Sequence, residues 1–316
     1  MMDENCIMGL EALPEAVRSC VLTIGNFDGV HVGHQRILAR ARSLAEAAGA
    51  TAVAMTFEPP PDLVLRPADP PQRILPAEQK LRLLRAAGAE AVVVARADDA
   101  LLSMRPAEFI EHVIVRRFAP RHVVEGPNFR FGRRRSGTVE TLRQAGPSWG
   151  FEVHVAEPVV VDLGGSAETV SSTLVRGLVM AGRVADAATC LGRPFALYGR
   201  IVSGLHFGRI LEFPTANLSS GEQVCPGDGV YAGRAAIGAT TYPAAVSIGT
   251  KPTLTDGSEA HRCIEAFLLN AEGDFYDEDM ALSFVCRLRD QERFDGIEAL
   301  RAQIDKDVAR VREICG

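Results

Sequence analysis

The chain has 316 residues, 47% hydrophobic and 23% charged, which excludes a disordered or fibrous class and, at about 150 residues per domain, predicts two domains. A formal net charge of −6 lacks the basic surplus of a nucleic-acid binder. With no apolar run of about 18 residues and an acidic start (Asp3, Glu4) in place of a basic leader, neither a membrane span nor export is expected.

In chain order, the first half alternates β-branched runs at 20–25, 51–57, 91–95, 121–125 and 151–156 with helical patterns. Ile37, Ala41, Leu44, Ala45 and Ala48 share one helical face, and Gly49 stands where a C-cap belongs. Further helical stretches fall near 77–87, 106–117 and 137–146. Strands alternating with helices predict a parallel α/β sheet, with its ligand site at the carboxyl ends of the strands. A helical stretch at 172–191 is expected to join the two halves.

Beyond residue 193, strand-like segments at 195–203, 229–237, 241–249, 262–269 and 279–288 follow one another without helices, predicting an antiparallel barrel. The C-terminal stretch predicts a helix with Ile297, Leu300, Ile304, Val308 and Val311 on one face and Asp295 with Glu298 as a capping pair. The expected domains are 1–190 and 191–316. Seven scattered cysteines (Cys6, Cys20, Cys190, Cys225, Cys263, Cys286 and Cys315) form no C-x-x-C pair. They read as free thiols in a reducing compartment, the cytoplasm, rather than as disulfides or a zinc site.

The strongest chemical signal follows the first strand: Gly25-Asn26-Phe27-Asp28-Gly29-Val30-His31-Val32-Gly33-His34, opening the first helix. Its glycines permit tight turns and close approach of backbone to a ligand, and a helix N-terminus attracts phosphate. His31 and His34, three residues apart, face one side and can stabilise charge building on a phosphorus under attack. Zinc is the competing use of paired histidines, but it needs further ligands that this segment lacks. Ser171, Ser172 and Thr173 can cap the following helix or, with Arg176, grip a phosphate. Phe129 and Phe131 alternate as strand residues do, and Arg133-Arg134-Arg135 reads as a solvated basic turn. In the second half, Thr215 and Asn217 put two oxygen ligands on one side of an extended segment, which suits Mg²⁺.

Taken together, these segments resemble the bacterial bifunctional riboflavin kinase/FMN adenylyltransferase (FAD synthetase) family from about residue 18 to the C-terminus. The H-x-G-H element of His31 to His34 is that of the nucleotidyltransferase superfamily. Thr56 to Pro61 is similar to T-F-[DE]-P-H-P with Pro60 in place of histidine, Gly126 to Gly132 to the flavin-side G-x-[DN]-F-x-F-G, and Val170 to Arg176 to I-S-S-T-x-[IV]-R. In the second half, Gly204, Gly208, Arg209 and Leu211 to Asn217 resemble G-x-x-x-G-R-x-L-G-F-P-T-A-N, with Glu212 in place of the last glycine. Gly229 to Ala232, Ile248 to Thr253, Ile264 to Leu269 and Leu288-Arg289-Asp290 match further family segments, whereas 270–277 departs.

The resemblance implies a Rossmann-like nucleotidyltransferase domain followed by a riboflavin kinase barrel with a C-terminal helix. It implies catalytic roles for His31, His34 and, as base, Glu265, and ATP or phosphate contact at Gly25, Phe27, Gly33, Ser171, Ser172, Thr173, Arg176, Gly204, Gly208 and Arg209. Flavin contact falls to Asp28, Asn128, Phe129 and Arg289, and Mg²⁺ to Thr215 and Asn217. The implied activity is ATP-dependent phosphorylation of riboflavin to FMN, then adenylyl transfer from ATP to give FAD and pyrophosphate. The alternative is an FMN adenylyltransferase whose barrel binds flavin without phosphorylating it. The expected partners are riboflavin, FMN, FAD and ATP, with no nucleic acid or membrane, and the oligomeric state is left open.

Overall fold

A computed structural model describes residues 6–202, 215–250 and 262–316. The chain forms two compact units, one of residues 1–71 and 75–171, the other of residues 72–74 and 172–316.

The first unit is built on six parallel strands: β1 (Cys6–Met8), β2 (Val21–Ile24), β3 (Ala52–Phe57), β4 (Ala91–Ala95), β5 (His122–Glu125) and β8 (Glu152–Val155). Their order is β1-β4-β3-β2-β5-β8, every neighbour parallel. β2, β3 and β4 are near-continuous buried runs, as expected of strands covered on both faces. Helices connect them: α1 (Val32–Ala48), α2 (Pro61–Leu65), α3 (Ala77–Ala86), α4 (Asp99–Leu102), α5 (Pro106–Phe109) continuing in a π turn over Ile110–Phe118, and α6 (Val139–Trp149). Two ribbons, β6 (Arg130–Phe131) with β7 (Gly137–Thr138) and β9 (Val160–Asp162) with β10 (Ala167–Thr169), decorate the sheet. From β2 the chain winds through β3 and β4 on one side and β5 and β8 on the other. The switch point therefore lies between β2 and β5, where open α/β sheets place their ligands. The five strands expected from sequence are present, and β1 adds a short edge strand.

The second unit is a closed barrel of β11 (Phe195–Val202), β12 (Thr215–Ser219), β13 (Gly229–Ile237), β14 (Thr240–Thr250), β15 (Arg262–Leu268) and β16 (Asp279–Arg289). Its order is β11-β12-β15-β14-β13-β16, and β16 closes it by pairing antiparallel with both β11 and β13. Phe195, Leu197, Tyr231, Val246, Leu282 and Phe284 are each at most 1% exposed, and burial alternates along β15 and β16 as barrel walls require. The helix α9 (Ile297–Cys315) lays Ile304, Val308, Val311 and Cys315 against Ala232 and Ala245 of the outer wall.

Three expectations change here. Residues 172–191 form two helices, α7 (Ser172–Met180) and α8 (Val184–Leu191), parted at Gly182 (φ 72°), and both belong to the barrel unit rather than joining the halves. α9 starts after Gly296, whose extended backbone moves Asp295 one residue beyond the cap, so no Asp295–Glu298 capping pair forms. Ile297, expected on the packed face, is 56% exposed and stands outside the cluster that begins at Leu300 and Ile304.

Candidate active sites

In the first unit the segment after β2 is wound by its backbone. Gly29 (φ 85°) and Val30 (φ 40°) turn the chain, and the Val30 N–H donates to the Phe27 carbonyl at 3.0 Å. Gly29 has no side chain to oppose such a φ, whereas Val30 adopts it at a cost in strain. His31 is the N-cap of α1: its Nδ1 accepts from the His34 N–H at 3.3 Å. The neutral His31 ring therefore carries its proton on Nε2. The His34 ring stacks on His31 at 3.6 Å between centroids and 18° between planes, with Phe27 edge-on at 5.2 Å. A Cβ at Gly33 would stand 3.1 Å from the His31 ring, and one at Gly25 would stand 3.1 Å from the Phe27 ring. Those two glycines make room for the stack.

Burial, with a second imidazole against it, holds the His34 pKa well below the usual histidine range. Among the described residues no group hydrogen-bonds the buried His34 Nδ1 or Asn26 Oδ1, which leaves both polar atoms available to a ligand. Gly25, Asn26 and His34 line a cavity of about 820 Å³ together with Asn128, Phe129 and Arg134. Phe129 stacks on the buried Phe131 with centroids 5.5 Å apart. Arg133, Arg134 and Arg135 are exposed, as a solvated turn should be, yet they also face this cavity.

Of the residues expected in this site, Gly25, His34, Asn128 and Phe129 meet at one cavity, with Phe27, His31 and Gly33 packed as their support. Asp28 instead turns inward: it is 8% exposed, and its Oδ1 accepts from the Leu75 N–H at 3.3 Å. Ser171 ends the first unit, and Ser172, Thr173 and Arg176 open α7 in the second. Two residues were not among the expected site residues. Asn26 lies between the glycine and the phenylalanine of the motif. Glu125, 2% exposed at the end of β5, accepts the Ile24 N–H on Oε1 at 2.7 Å and so clamps β5 to β2 at the switch point. Burial raises the Glu125 pKa well above the usual carboxylate range, against the lowering effect of the Ile24 N–H.

In the barrel unit, Thr215 and Asn217 share one face of β12 because side chains alternate along a strand. Asn217 lies directly opposite Glu265, which in turn lies opposite Ser247. A row of oxygen-bearing side chains thus crosses three strands. Asn217 Oδ1 also accepts from Cys263 Sγ at 3.5 Å. Glu265 and Ser247 line a cavity of about 340 Å³ with Phe267, Arg289, Phe294 and Asp307. Arg289 is locked there: its Nε reaches both Asp307 carboxylate oxygens at 3.2 and 3.1 Å, its Nη2 reaches Oδ2 at 2.8 Å, and its guanidinium lies 5.7 Å from the Phe294 ring centre. Gln291 steadies the rim by donating from Nε2 to Ser247 Oγ at 2.9 Å. Asp307 and Gln291 were absent from the expected site. Gly204, Gly208, Arg209 and Glu212 lie outside the described residues, as do Lys251, Pro252 and Thr253.

Thr215, Asn217 and Glu265 offer hydroxyl, amide and carboxylate oxygens, the hard donor set that Mg²⁺ prefers, so the residues present fit that ion. Among the described residues no helix is long and apolar enough to cross a membrane.

Family models match both units: FAD synthetase over residues 13–174 and riboflavin kinase over residues 191–315. The chain is similar to the bifunctional riboflavin kinase/FMN adenylyltransferase of Pseudomonas fluorescens, with 36% identity over 98% of this chain and 97% of that one. Its counterpart in Escherichia coli K12 is 33% identical over 98% of this chain and 97% of its own. That of Bacillus subtilis is 31% identical over 93% of this chain and 92% of its own. A solved structure from Streptococcus pneumoniae described as a macrolide-efflux protein shares the fold, with a TM-score of 0.87 and 27% identity over 98% of this chain and 99% of that one.

Proposed function

The chain belongs to the bifunctional riboflavin kinase/FMN adenylyltransferase family, and from that premise we infer which of its residues serve each of the two reactions. The enzyme phosphorylates riboflavin to FMN with ATP and then converts FMN to FAD with a second ATP. The assignment rests on one observation above all: two chemically distinct constellations stand in two separately packed units, each beside its own cavity.

In the barrel, Glu265 takes the proton from the ribityl 5′-hydroxyl as that oxygen attacks the γ-phosphorus, and ADP leaves. Its place opposite Asn217 supports this, since cross-strand neighbours bring their Cβ atoms to about 5 Å. Thr215 and Asn217 would hold Mg²⁺, which when bound neutralises the triphosphate charge. Gly204, Gly208 and Arg209 are assigned to ATP on the family likeness. Arg289, immobilised by Asp307, directs its remaining N–H groups at the flavin edge.

In the α/β unit an FMN phosphate oxygen attacks the α-phosphorus of ATP, the bond to the β-phosphate breaks, and pyrophosphate leaves. No covalent enzyme intermediate is needed, because a phosphate monoester is already a competent nucleophile. His34 and His31, at the N-terminus of α1, stabilise the charge on the phosphorus. Gly25, Phe27 and Gly33 keep that ground open, and Ser171, Ser172, Thr173 and Arg176 are assigned to phosphate on the family likeness alone. Asn128 and Phe129 hold the flavin. Asp28, assigned to flavin by likeness, acts in this reading by bracing the loop through Leu75. The boundary between the activities is kept at 190/191 on the family likeness, although α7 and α8 pack within the barrel unit, and the cytoplasm as the working compartment accords with seven free thiols and ATP as substrate.

Incubation with riboflavin, ATP and Mg²⁺ followed by chromatography should yield FMN and then FAD. FAD from supplied FMN, with none from riboflavin, would make the barrel a flavin binder without kinase activity.

A further inference from the structure

Away from both cavities, β5 and the edge strand β8 bring together two imidazoles and a carboxylate. His122 lies opposite Glu152 in the parallel register, and His154, two residues further along β8, projects on the same face. His122 Nδ1 and His154 Nε2 are 3.1 Å apart, and the Glu152 Oε2 atom stands 3.5 Å from the first and 3.6 Å from the second. These three donor atoms form a nearly equilateral triangle. An ion with tetrahedral bonds of about 2.1 Å separates its ligands by about 3.4 Å, so a point about 2.1 Å from all three atoms lies just off their plane.

Nothing else among the described residues gathers three such groups. Other accounts of the cluster are weaker. A hydrogen bond between the imidazoles needs only the two rings, and an ion pair with Glu152, whose side chain is 69% exposed, is worth little in water. The rings themselves are 23% and 18% exposed, which leaves the fourth tetrahedral direction open to water.

We propose that His122, Glu152 and His154 form a Zn²⁺ site that clasps the edge strand β8 to β5. Two nitrogens and one carboxylate oxygen suit this borderline ion better than Mg²⁺, which prefers oxygen donors. The site therefore does not compete for the ion required by the kinase half. Its effect is mechanical: β8 is hydrogen-bonded on one side only, and a bound ion adds a second tie.

The test uses the full chain stripped of metal by a chelator. Zn²⁺ is titrated in competition with a chromophoric indicator, and Co²⁺ is added in parallel as a spectroscopic probe. The wild type should bind one equivalent of Zn²⁺ more than His154→Ala or His122→Ala, each weakened at least 100-fold, with Glu152→Gln weakened about tenfold. Co²⁺ should give the intense visible bands of a four-coordinate ion, and Zn²⁺ should raise the melting temperature of the wild type but not of His154→Ala. His34→Gln should keep the extra equivalent, which separates this site from the histidine pair of α1. Equal stoichiometry in wild type and His154→Ala, or a weak octahedral Co²⁺ spectrum, would overturn the proposal. Melting in chelator checks that each variant folds. Should the alanine variants unfold, the exposed Glu152→Gln and the conservative His122→Gln decide the matter by the same readouts.

Discussion

Asn217 on β12 and Glu265 on β15 face one another in register although 48 residues separate them in sequence. Only the pairing of β12 with β15 makes them neighbours, and their meeting couples a candidate metal ligand to a candidate base. Glu265→Gln keeps size and hydrogen-bonding capacity while removing the proton acceptor. It should slow FMN formation from riboflavin by about 10²–10⁴-fold and leave FAD formation from supplied FMN unchanged. Loss of both activities in the folded variant would refute the two-site assignment.

The histidine pair gives the mirror-image experiment. His34→Ala should lower FAD formation about 10²–10³-fold with kinase activity intact. His31→Ala should do the same and also lower stability by about 1 kcal/mol, because its Nδ1 caps α1. The difference between the two variants in a urea melt measures the cap apart from the chemistry.

Buried titratable groups make the α/β unit sensitive to pH from both directions. The His34 pKa is depressed in the folded protein, so the unfolded chain takes up the proton first, and stability falls as pH drops below the ordinary histidine value of 6.5. The Glu125 pKa is raised, so its contribution is complete below the ordinary value of 4.5 and is lost as pH rises towards the folded-state pKa. Glu125→Gln retains an acceptor for the Ile24 N–H without the charge. Denaturant melts should show it gaining stability over the wild type between pH 5 and pH 8, whereas His34→Gln should flatten the fall between pH 7 and pH 5. A wild-type-like slope in either variant would remove that residue from the account.

Arg289 and Asp307 have side chains 16% and 6% exposed. Removing one partner of a buried pair leaves the other charge uncompensated, so Asp307→Ala should cost about 3 kcal/mol and weaken flavin binding to the barrel. The double variant Arg289→Met/Asp307→Leu should recover much of that stability but none of the flavin binding. A double-mutant cycle read by urea unfolding and flavin fluorescence separates the two roles.

Glu212 stands three residues before Thr215, where the family has glycine. Like charges 4 Å apart repel by about 1 kcal/mol even in water. Glu212→Gly should therefore lower the KM for ATP in FMN formation and leave FAD formation untouched. A raised KM would assign Glu212 to holding the metal instead.

Where a residue's role follows from local periodicity, the sequence revealed it. The 3.6-residue stripe of α1, the buried runs of β2 to β4 and the alternation along β15 and β16 each record which face meets the core. The turn from β2 into α1 was legible because its glycines and histidines fall together where a strand passes into a helix, at the N-cap and the turn. Other features depend on partners far away in the chain. Asp307 sits on the packed stripe of α9 among Ile304, Val308 and Val311, and only Arg289 explains a charge there. Glu125 reads as the polar end of a strand until β2 lies beside it. Asp28 belongs to a motif, yet the Leu75 backbone draws it inward. β12 read only as an extended segment, not as a barrel strand, because Ala-Asn-Leu-Ser carries little β-propensity; it is a strand because β11 and β15 flank it.

Strand β16 carries a further consequence, for synthesis at the ribosome. It is the last barrel strand in the chain, yet it lies between β11 and β13, the first and third. While it is still in the exit tunnel, the other five strands can form only an open sheet whose two borders, β11 and β13, offer unpaired backbone groups to any passing chain. A single late insertion seals both seams at once. The nascent barrel is therefore most prone to aggregate in the interval between release of β15 and arrival of β16, a span in which neither flavin nor nucleotide can yet find a finished wall to bind.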